Sequence, residues 1–385
     1  MIPNQREMFD IPEKVAYLNC AYMGPLSRKV AAAGMGGIAG KTRPWTTLGE
    51  DFFAPSERAR TLFAKVIGAT ADDIAIVPSV SYGVAVAARN LALDRNQSVI
   101  CLEDQFPSNV YGWTELAGAR GGSVHFVPRA KARLANGQLD WTGAVLDAIG
   151  QNTAIVALPH CHWTDGSLLD LAAIGRKARA NGAALVLDIT QSGGVLPIDI
   201  GEVDPDFLVC ATYKWLLGPY TMGFLYAAPR HQSGQPIEHG WISRKSSEDF
   251  SGLTNYRKDY QPGARRFDMG ERSALQLMPM AVAALEQCLT WGVAETAATL
   301  AARTGAIAER AGALGFTVAP PEFRAGHFLG LDLGDTDADA LVAACTAADV
   351  HVSVRGRSMR VTPHLYTTDT DVDRFIDVLA QTARR

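Results

Sequence analysis

The chain has 385 residues, of which 48 % are hydrophobic and 20 % charged, and its formal net charge is −4. This length and composition predict a folded protein with two domains. Because the chain lacks the basic surface that nucleic acids require, we expect a small-molecule partner and no nucleic acid. The first ten residues lack a secretory pattern and no segment has the apolar length of a membrane span, so we expect a cytoplasmic protein with no membrane partner. The six scattered cysteines predict reduced thiols.

Short apolar runs alternate with amphipathic segments between about residues 60 and 230. The predicted strands are 73–77, 98–102, 123–127, 154–159, 184–188 and 207–211. Between them lie segments such as 168–182, which ends in Asn181 and Gly182 as a helix commonly does. The alternation predicts an α/β fold with a mostly parallel sheet and helices on both of its faces.

The polar stretch 231–266 interrupts this pattern. So long an irregular segment is typical of a mobile or functional loop, and we expect partial disorder of it without substrate. Residues 273–292 predict a long helix, and the remainder predicts a smaller α+β domain. We therefore predict a large domain over 21–262, a small C-terminal domain over 263–385, and an N-terminal segment, 1–20, that packs with the small domain.

One lysine follows the apolar strand 207–211, where burial is expected. Lys214 could extend to solvent, and Asp188, which ends strand 184–188, could be an ordinary helix cap. Residues just after neighbouring parallel strands, however, meet at one edge of the sheet. Pyridoxal phosphate needs such a pair, because a lysine forms a Schiff base with its aldehyde and an acid keeps its pyridine nitrogen protonated.

A candidate phosphate site follows the strand 73–77. Ser79 and Ser81 stand between this strand and a predicted helix. Free N–H groups and the positive end of the helix dipole suit a dianion. Serine is also an ordinary N-cap, so this motif alone leaves a purely structural interpretation open.

The segment 185–229, LVLDITQSGGVLPIDIGEVDPDFLVCATYKWLLGPYTMGFLYAAP, resembles the cofactor segment of the class V aminotransferase superfamily. These fold-type I pyridoxal-phosphate enzymes include cysteine desulfurases, kynureninases and isopenicillin N epimerases. The resemblance extends from 17–27 to 359–375. It implies a homodimer with active sites at the interface, Lys214 as Schiff-base lysine and proton carrier, Asp188 on the pyridine nitrogen, and Gln191 near the phenolic oxygen.

The same resemblance implies further site residues. EDQFPSNVYGW (103–113) places Phe106 over the cofactor ring in a form more like kynureninase than desulfurase, although a core aromatic is the alternative. Arg360 takes the substrate α-carboxylate, with Arg355 or Arg357 as alternatives. The predicted cofactor-binding residues are Ser79, Val80, Ser81, Phe106, Trp163, Asp188, Gln191, Tyr213 and Lys214, and the predicted substrate-binding residues are Asn19, Tyr22 and Arg360.

Two departures from the family pattern stand out. In 265–275 Glu271 occupies the region where a threonine often contacts the phosphate across the dimer, and its carboxylate would repel that group, so Ser273 or an arginine is expected to substitute. The loop 352–358 contains no cysteine, which disfavours a classical cysteine desulfurase.

Two histidines, His160 and His162, fall on one face of a strand. Since no further ligands cluster with them, we predict no metal site and a structural or cofactor-side role.

We therefore predict a pyridoxal-phosphate enzyme in which Lys214 removes the Cα proton of an amino acid. Transamination is the first choice because of the family name. A kynureninase-like or carbon–sulfur lyase is the alternative, followed by an epimerase and by a non-catalytic binding protein of the same fold.

Overall fold

The computed structural model describes residues 1–383. The strands are β1 (Ala16–Tyr17), β2 (Ile74–Val77), β3 (Ser98–Leu102), β4 (Ser123–Val127), β5 (Thr153–Pro159), β6 (Ala184–Asp188), β7 (Phe207–Ala211), β8 (Gly223–Ala227), β9 (Thr317–Val318), β10 (Leu329–Asp332), β11 (Val350–His351), β12 (Ser353–Arg355) and β13 (Ser358–Val361). The α-helices are α1 (Arg28–Lys41), α2 (Ala54–Ile67), α3 (Val80–Asn90), α4 (Tyr111–Arg120), α5 (Arg129–Ala132), α6 (Trp141–Ala148), α7 (Leu171–Ala180), α8 (Ile200–Val203), α9 (Met278–Trp291), α10 (Val293–Ala313), α11 (Ala338–Ala347) and α12 (Asp369–Ala383).

A seven-stranded sheet in the order β2-β8-β7-β6-β5-β3-β4 forms the centre of the larger part of the chain. The run from β7 to β4 is parallel throughout, and only β8 pairs antiparallel, with β7 on one side and β2 on the other. The prediction of a mostly parallel sheet in an α/β fold is confirmed. Strand β8 was not predicted; it follows β7 after the loop 212–222, and an antiparallel partner needs no helical crossover.

Both faces of this sheet are covered, as the alternation along each strand requires. In β2, Ile76 packs into the core shared with α2, α6, α7 and α9, whereas its neighbour Val77 packs into the core shared with α3 and α4. Leu185 and Val186 of β6 divide between the same two cores. The central strands are therefore buried on both sides, and their carboxyl ends form the accessible edge.

The C-terminal part contains a four-stranded antiparallel sheet in the order β12-β13-β10-β9. Helices α10, α11 and α12 pack on it around a separate apolar core. Strand β1 pairs in parallel with β11, with Ala16 opposite Val350, and α9 packs against α1 and α2. The C-terminal part is α+β, as expected, and the exact domain boundaries stay a prediction.

Two segments differ from or refine the sequence-based expectations. The helix expected from 273 begins only at Met278, because Pro279 occupies the first turn and residues 271–273 form a turn before it. The stretch 231–266 contains short 3-10 helices and buries Ile242 and Gln261; its partial disorder without substrate stays a prediction. No helix in residues 1–383 has the length and apolar character needed to cross a membrane.

Candidate active site

A cavity of about 430 Å³ lies at the carboxyl-end edge of the large sheet. Segments that follow β2, β3, β5, β6 and β7 line it, as expected for an open parallel sheet. All of the predicted cofactor-binding residues meet there: Ser79, Val80, Ser81, Phe106, Trp163, Asp188, Gln191, Tyr213 and Lys214. The fold therefore places all nine residues in one cavity, and their individual roles remain predictions.

Lys214 is buried in this cavity, with only 6 % of its surface exposed. Its Nζ lies 5.3 Å from the ring centroid of Phe106 and 5.6 Å from that of Tyr213. Burial lowers the pKa of Lys214 to about 8. The negative charge of Asp188 opposes this lowering, and the positive charge of Arg360 adds to it. The amine is therefore much closer to neutrality than a surface lysine, which is the form that attacks an aldehyde or accepts a proton.

Asp188 ends β6 and is 8 % exposed. Its Oδ1 accepts a hydrogen bond from the Thr190 backbone N–H at 2.9 Å. Burial raises the pKa of Asp188, although Thr190 and the charge of Lys214 oppose the rise. A buried carboxyl group that borders a cavity is stabilised by a cationic or N–H partner, and a protonated ring nitrogen meets that need.

Gln191 is held in one orientation by hydrogen bonds at both ends of its amide. Its Nε2 donates to the Ala21 carbonyl at 3.1 Å, and its Oε1 accepts from Trp215 Nε1 at 2.9 Å. The second N–H of the amide is not used in these bonds. The Ala21 carbonyl and the Trp215 indole therefore fix a side chain that lines the cavity.

The N-terminus of α3 forms the opposite end of the cavity. Ser79 is its N-cap and accepts from the Tyr82 N–H at 3.2 Å, and its Oγ lies 2.9 Å from Ser81 Oγ. Ser79 thus has the structural role of an N-cap, as one of the two interpretations predicted. It uses the Tyr82 N–H but leaves the backbone N–H groups of Val80 and Ser81, two residues that line the cavity, for an anion.

Phe106 and Trp163 form an aromatic wall. Their ring centroids are 5.4 Å apart in an edge-to-face arrangement, and Trp163 Nε1 donates to the Asp104 carbonyl at 2.6 Å. This bond holds the indole at the rim of the cavity. Stacking of Phe106 on a cofactor ring remains a prediction.

The predicted substrate residues differ in their surroundings. Arg360 is 2 % exposed, and its Nε and Nη2 donate to Ser353 Oγ at 2.9 and 2.7 Å. Ser353 in turn donates to Asn19 Oδ1 at 2.9 Å, so Asn19 belongs to this chain of hydrogen bonds. Burial and the nearby Arg355 lower the pKa of Arg360 to about 10. Tyr22 is 56 % exposed. The cavity lining includes none of the three predicted substrate residues, Asn19, Tyr22 and Arg360, and their contacts with substrate stay predictions.

The region of Glu271 does not reveal a substitute phosphate ligand within the chain. Glu271 is exposed. Ser273 Oγ donates to the Phe52 carbonyl at 2.9 Å, and the buried Arg272 pairs with Glu57. Ser273 and Arg272 thus each have a partner within the described residues, and the replacement of the cross-dimer threonine contact by Ser273 or an arginine stays a prediction.

The two histidines after β5 have separate surroundings. His160 Nδ1 lies 3.2 Å from Ser192 Oγ, whereas His162 Nε2 lies 3.0 Å from the Glu103 carbonyl. Burial lowers the pKa of both, that of His160 to about 3. Within residues 1–383 no group of three or more His, Cys, Asp and Glu side chains is arranged to hold a metal. The structural or cofactor-side role of the two histidines stays a prediction.

Sequence reasoning missed several residues of the cavity. Thr190, which binds Asp188, stands two positions after it and could have been found from that spacing. Tyr220 packs against Tyr213 with ring centroids 4.6 Å apart. Thr221 has a left-handed backbone (φ 66°), a strained conformation for a β-branched residue, and only the adjacent Gly-Pro turn hints at it.

The lining fits pyridoxal phosphate on physical grounds. It offers a helix N-terminus for a dianion, a buried carboxyl group for a ring nitrogen and a desolvated lysine amine. Asp188 and Lys214 supply the two groups that the cofactor's chemistry requires. None of the ion pairs among residues 1–383 involves Lys214.

The comparisons with known proteins agree with this fit. An uncharacterised aminotransferase, YcbU, of Bacillus subtilis is 29 % identical over 329 residues, 84 % of this chain and 83 % of its own. A kynureninase of Deinococcus radiodurans is 30 % identical over 288 residues, 72 % and 66 % of the two chains. The solved structure of a C-DES mutant, with glycine covalently linked to its PLP cofactor, superposes with a TM-score of 0.88 at 18 % identity, covering 98 % of this chain and 99 % of that one. This likeness shows the predicted fold-type I architecture. The Aminotransferase class-V profile matches residues 36–375, and the chain therefore belongs to the class V aminotransferase family of pyridoxal-phosphate-dependent enzymes.

Proposed function

We propose that this protein is an aminotransferase that acts on an amino acid with Lys214 as its catalytic base. The observation that carries the proposal is the buried Lys214 amine in one cavity with the buried Asp188, at the ends of adjacent strands. Burying both an amine and a carboxyl group without pairing them is costly unless a ligand compensates.

The cofactor supplies an electron-accepting ring and an aldehyde when bound. Lys214 would hold it covalently and, once substrate has displaced the lysine, would take the proton from Cα. Its pKa of about 8 suits this role, because a general base acts best when its pKa is near the working pH. Asp188 would hold the ring nitrogen, and the first turn of α3 would hold the phosphate.

The substrate α-carboxylate would bind Arg360. This guanidinium is buried and is absent from the ion pairs found in residues 1–383, so a carboxylate from outside the chain would compensate its charge. Ser353 occupies Nε and Nη2 and sets the plane of the group. A planar, fixed guanidinium is well suited to bidentate binding.

In transamination the group that takes the Cα proton must also return it. The Lys214 amine lines the cavity and would hold this proton between the two transfers. The likeness to the aminotransferase YcbU also favours this reaction.

A kynureninase-like lyase is the second candidate, favoured by Phe106 in the aromatic wall and by the likeness to a kynureninase. A departing group needs a proton donor, and the neighbouring Tyr213 and Tyr220 stand beside Lys214. Burial, with Tyr220, raises the pKa of Tyr213 to about 12, which keeps that hydroxyl protonated.

The test is the absorbance of the purified holoenzyme after single additions of common amino donors, kynurenine and cysteine sulfoxides. Lasting conversion of the cofactor to its amine form, reversed by a keto acid, supports the aminotransferase. Return to the lysine-bound form with release of a fragment supports the lyase. Lys214→Ala should lose both the lysine-bound absorbance and turnover, whereas Lys177→Ala, on an exposed face of α7, should keep both. A Lys214→Ala protein that stays coloured after dialysis and still turns over contradicts the role of Lys214.

A further inference from the structure

A second cavity, of about 680 Å³, adjoins the first. Gln105 and Trp163 line both, so the indole of Trp163 stands at the boundary between them. The second cavity lies between the segments after β3 and β5 and the hairpin of β12 and β13. Arg360 lines neither cavity, but its Cζ lies 5.8 Å from the ring centroid of Trp163, so a group bound beside this indole would extend into the second cavity.

Charged side chains of both signs line this second cavity. The arginines are Arg129, Arg133, Arg355 and Arg357, and the aspartates are Asp104, Asp165 and Asp332. Cations thus outnumber anions, and the way in which they pair decides which of them is available to a ligand.

Two of the four arginines already have a carboxylate. Arg129 pairs with Asp165 at 2.5 Å. Arg357, on the exposed tip of the hairpin, lies 3.6 Å from Asp332. Asp165 is further occupied, because its Oδ1 accepts two hydrogen bonds from Ser167. These aspartates are therefore poorly placed to neutralise another cation.

A third arginine, Arg133, is exposed, and its Nη1 donates to the Gly137 carbonyl at 2.9 Å, so a ligand would gain little from its charge. Arg355 is different from these three. It is half-buried, and among residues 1–383 its recorded polar bond is to a backbone carbonyl, that of Val354, at 2.7 Å. Its Cζ lies 5.6 Å from the ring centroid of Trp163, and Arg360 Cζ lies 5.8 Å from the same centroid. Two guanidinium groups thus converge on one indole, and neither has a carboxylate partner in the described chain.

This arrangement costs free energy unless an anion compensates the two charges. Like charges that share one partly buried site repel each other, and the pKa of Arg360 is lowered by burial and by Arg355. A ligand with one anionic group would compensate Arg360 alone. A ligand with two would compensate both arginines and would place an apolar stem against Trp163.

We propose that Arg355 binds a carboxylate at the end of the substrate's side chain, so that the substrate class is an amino acid with two carboxylates. The inference rests on the proposed function, since it gives the α-carboxylate to Arg360. A basic side chain would meet Arg355 with like charge, and a purely apolar one would leave that charge uncompensated next to it.

The experiment titrates the holoenzyme with matched amino acids and follows the cofactor absorbance. L-Aspartate, L-glutamate and L-2-aminoadipate vary the length of an acidic side chain, and L-glutamine matches glutamate in size without its charge. Arg355→Gln removes the charge, Arg355→Lys keeps it, and Arg176→Gln, on the exposed face of α7, is the control that removes an arginine elsewhere. Calorimetry with glutarate and butyrate gives a second readout that needs no turnover.

The wild-type protein should bind at least one acidic amino acid about 10- to 100-fold more tightly than glutamine, the range of a charge-assisted bond. Arg355→Gln should abolish most of this preference without weakening glutamine binding, Arg355→Lys should keep part of it, and Arg176→Gln should leave it unchanged. Binding of neutral amino acids with no dependence on Arg355 overturns this inference while the proposed function stands. A cofactor band that no amino acid perturbs overturns both.

Discussion

Gly24 lies directly against the carbonyl group of Lys214. A Cβ built on Gly24 would stand 2.1 Å from that oxygen and 2.6 Å from a methyl group of Leu217. The Gly24 N–H also donates to the Tyr213 carbonyl at 2.9 Å. Gly24 thus contacts the backbone of the loop that carries Lys214, residues 212–222, which we call the lysine loop. Only glycine leaves room for this approach.

Gly24→Ala should therefore displace the lysine loop. Since the obstructing atoms include backbone, we expect a loss of about 1–3 kcal/mol in the free energy of unfolding and weaker retention of the cofactor. Chemical denaturation and the absorbance remaining after dialysis measure these two effects. Gly36→Ala, in α1 with nothing within 4 Å of the new Cβ, is the control and should be neutral or stabilising. Equal behaviour of the two variants would show that the lysine loop does not depend on Gly24.

The burial of Lys214 gives a second prediction, for the cofactor-free protein. A protonated amine cannot attack an aldehyde, so the rate of cofactor capture should rise with pH and level off above about 8, well below the ordinary lysine value of 10.5. Stopped-flow absorbance after mixing with pyridoxal phosphate gives the profile. Asp188→Asn removes a charge that raises the pKa of Lys214, so its midpoint should move to lower pH. A midpoint near 10.5 would mean that the amine is solvated.

Ser353 gives a third prediction through Arg360. Its hydroxyl accepts hydrogen bonds from both Nε and Nη2, so Ser353→Ala leaves the guanidinium held only by the bond from Nη1 to the Trp163 carbonyl, at 3.2 Å. We expect KM for the amino acid to rise about 5- to 10-fold, the cost of one to two hydrogen bonds, with kcat less affected. Ser353→Thr keeps a hydroxyl and should recover most of the loss. Ser358→Ala, which removes a hydroxyl without a partner on β13, should leave KM unchanged.

Much of the fold and of the cofactor site could be predicted because local patterns encode them. Apolar runs define β3, β6 and β7, and Asp188 and Lys214 fall just after two of these strands, so parallel topology alone brings them together. Ser79 and Ser81 are likewise contiguous with a strand and a helix. The positions of these residues relative to the predicted strands were therefore enough to predict that they meet at the carboxyl-end edge of the sheet.

The rest depends on contacts between distant parts of the chain. Asn19 reaches Arg360 through Ser353, and Ala21 fixes Gln191, although nothing in these segments has a periodicity that specifies a partner. The left-handed backbone of Thr221 is imposed by its surroundings against its own preference. Packing, rather than propensity, decides such positions, which a single sequence does not reveal.

A buried ion network joins α2 to the segment before α9. Arg60 is fully buried and pairs with Asp268, and Glu57 accepts hydrogen bonds from Arg60, Arg265 and Arg272. Burial alone would raise the pKa of Glu57, but the hydrogen bond from Arg265 and the charges of Arg60 and Arg265 outweigh it and lower the pKa to about 2. The folded state therefore prefers the ionised carboxylate more than the unfolded state does.

Glu57→Gln should accordingly destabilise the protein at neutral pH and less so in acid. With a folded pKa below the ordinary value of 4.5, the contribution of Glu57 is fully present above about 4.5 and is lost as the pH falls towards 2. Urea unfolding of both proteins at about pH 7 and about pH 3.5 measures the difference in free energy, which should shrink at the lower pH. Glu309→Gln, at an exposed position of α10, should show no such difference at either pH. A Glu57→Gln effect that is the same at both pH values would assign the loss to packing rather than to the charge.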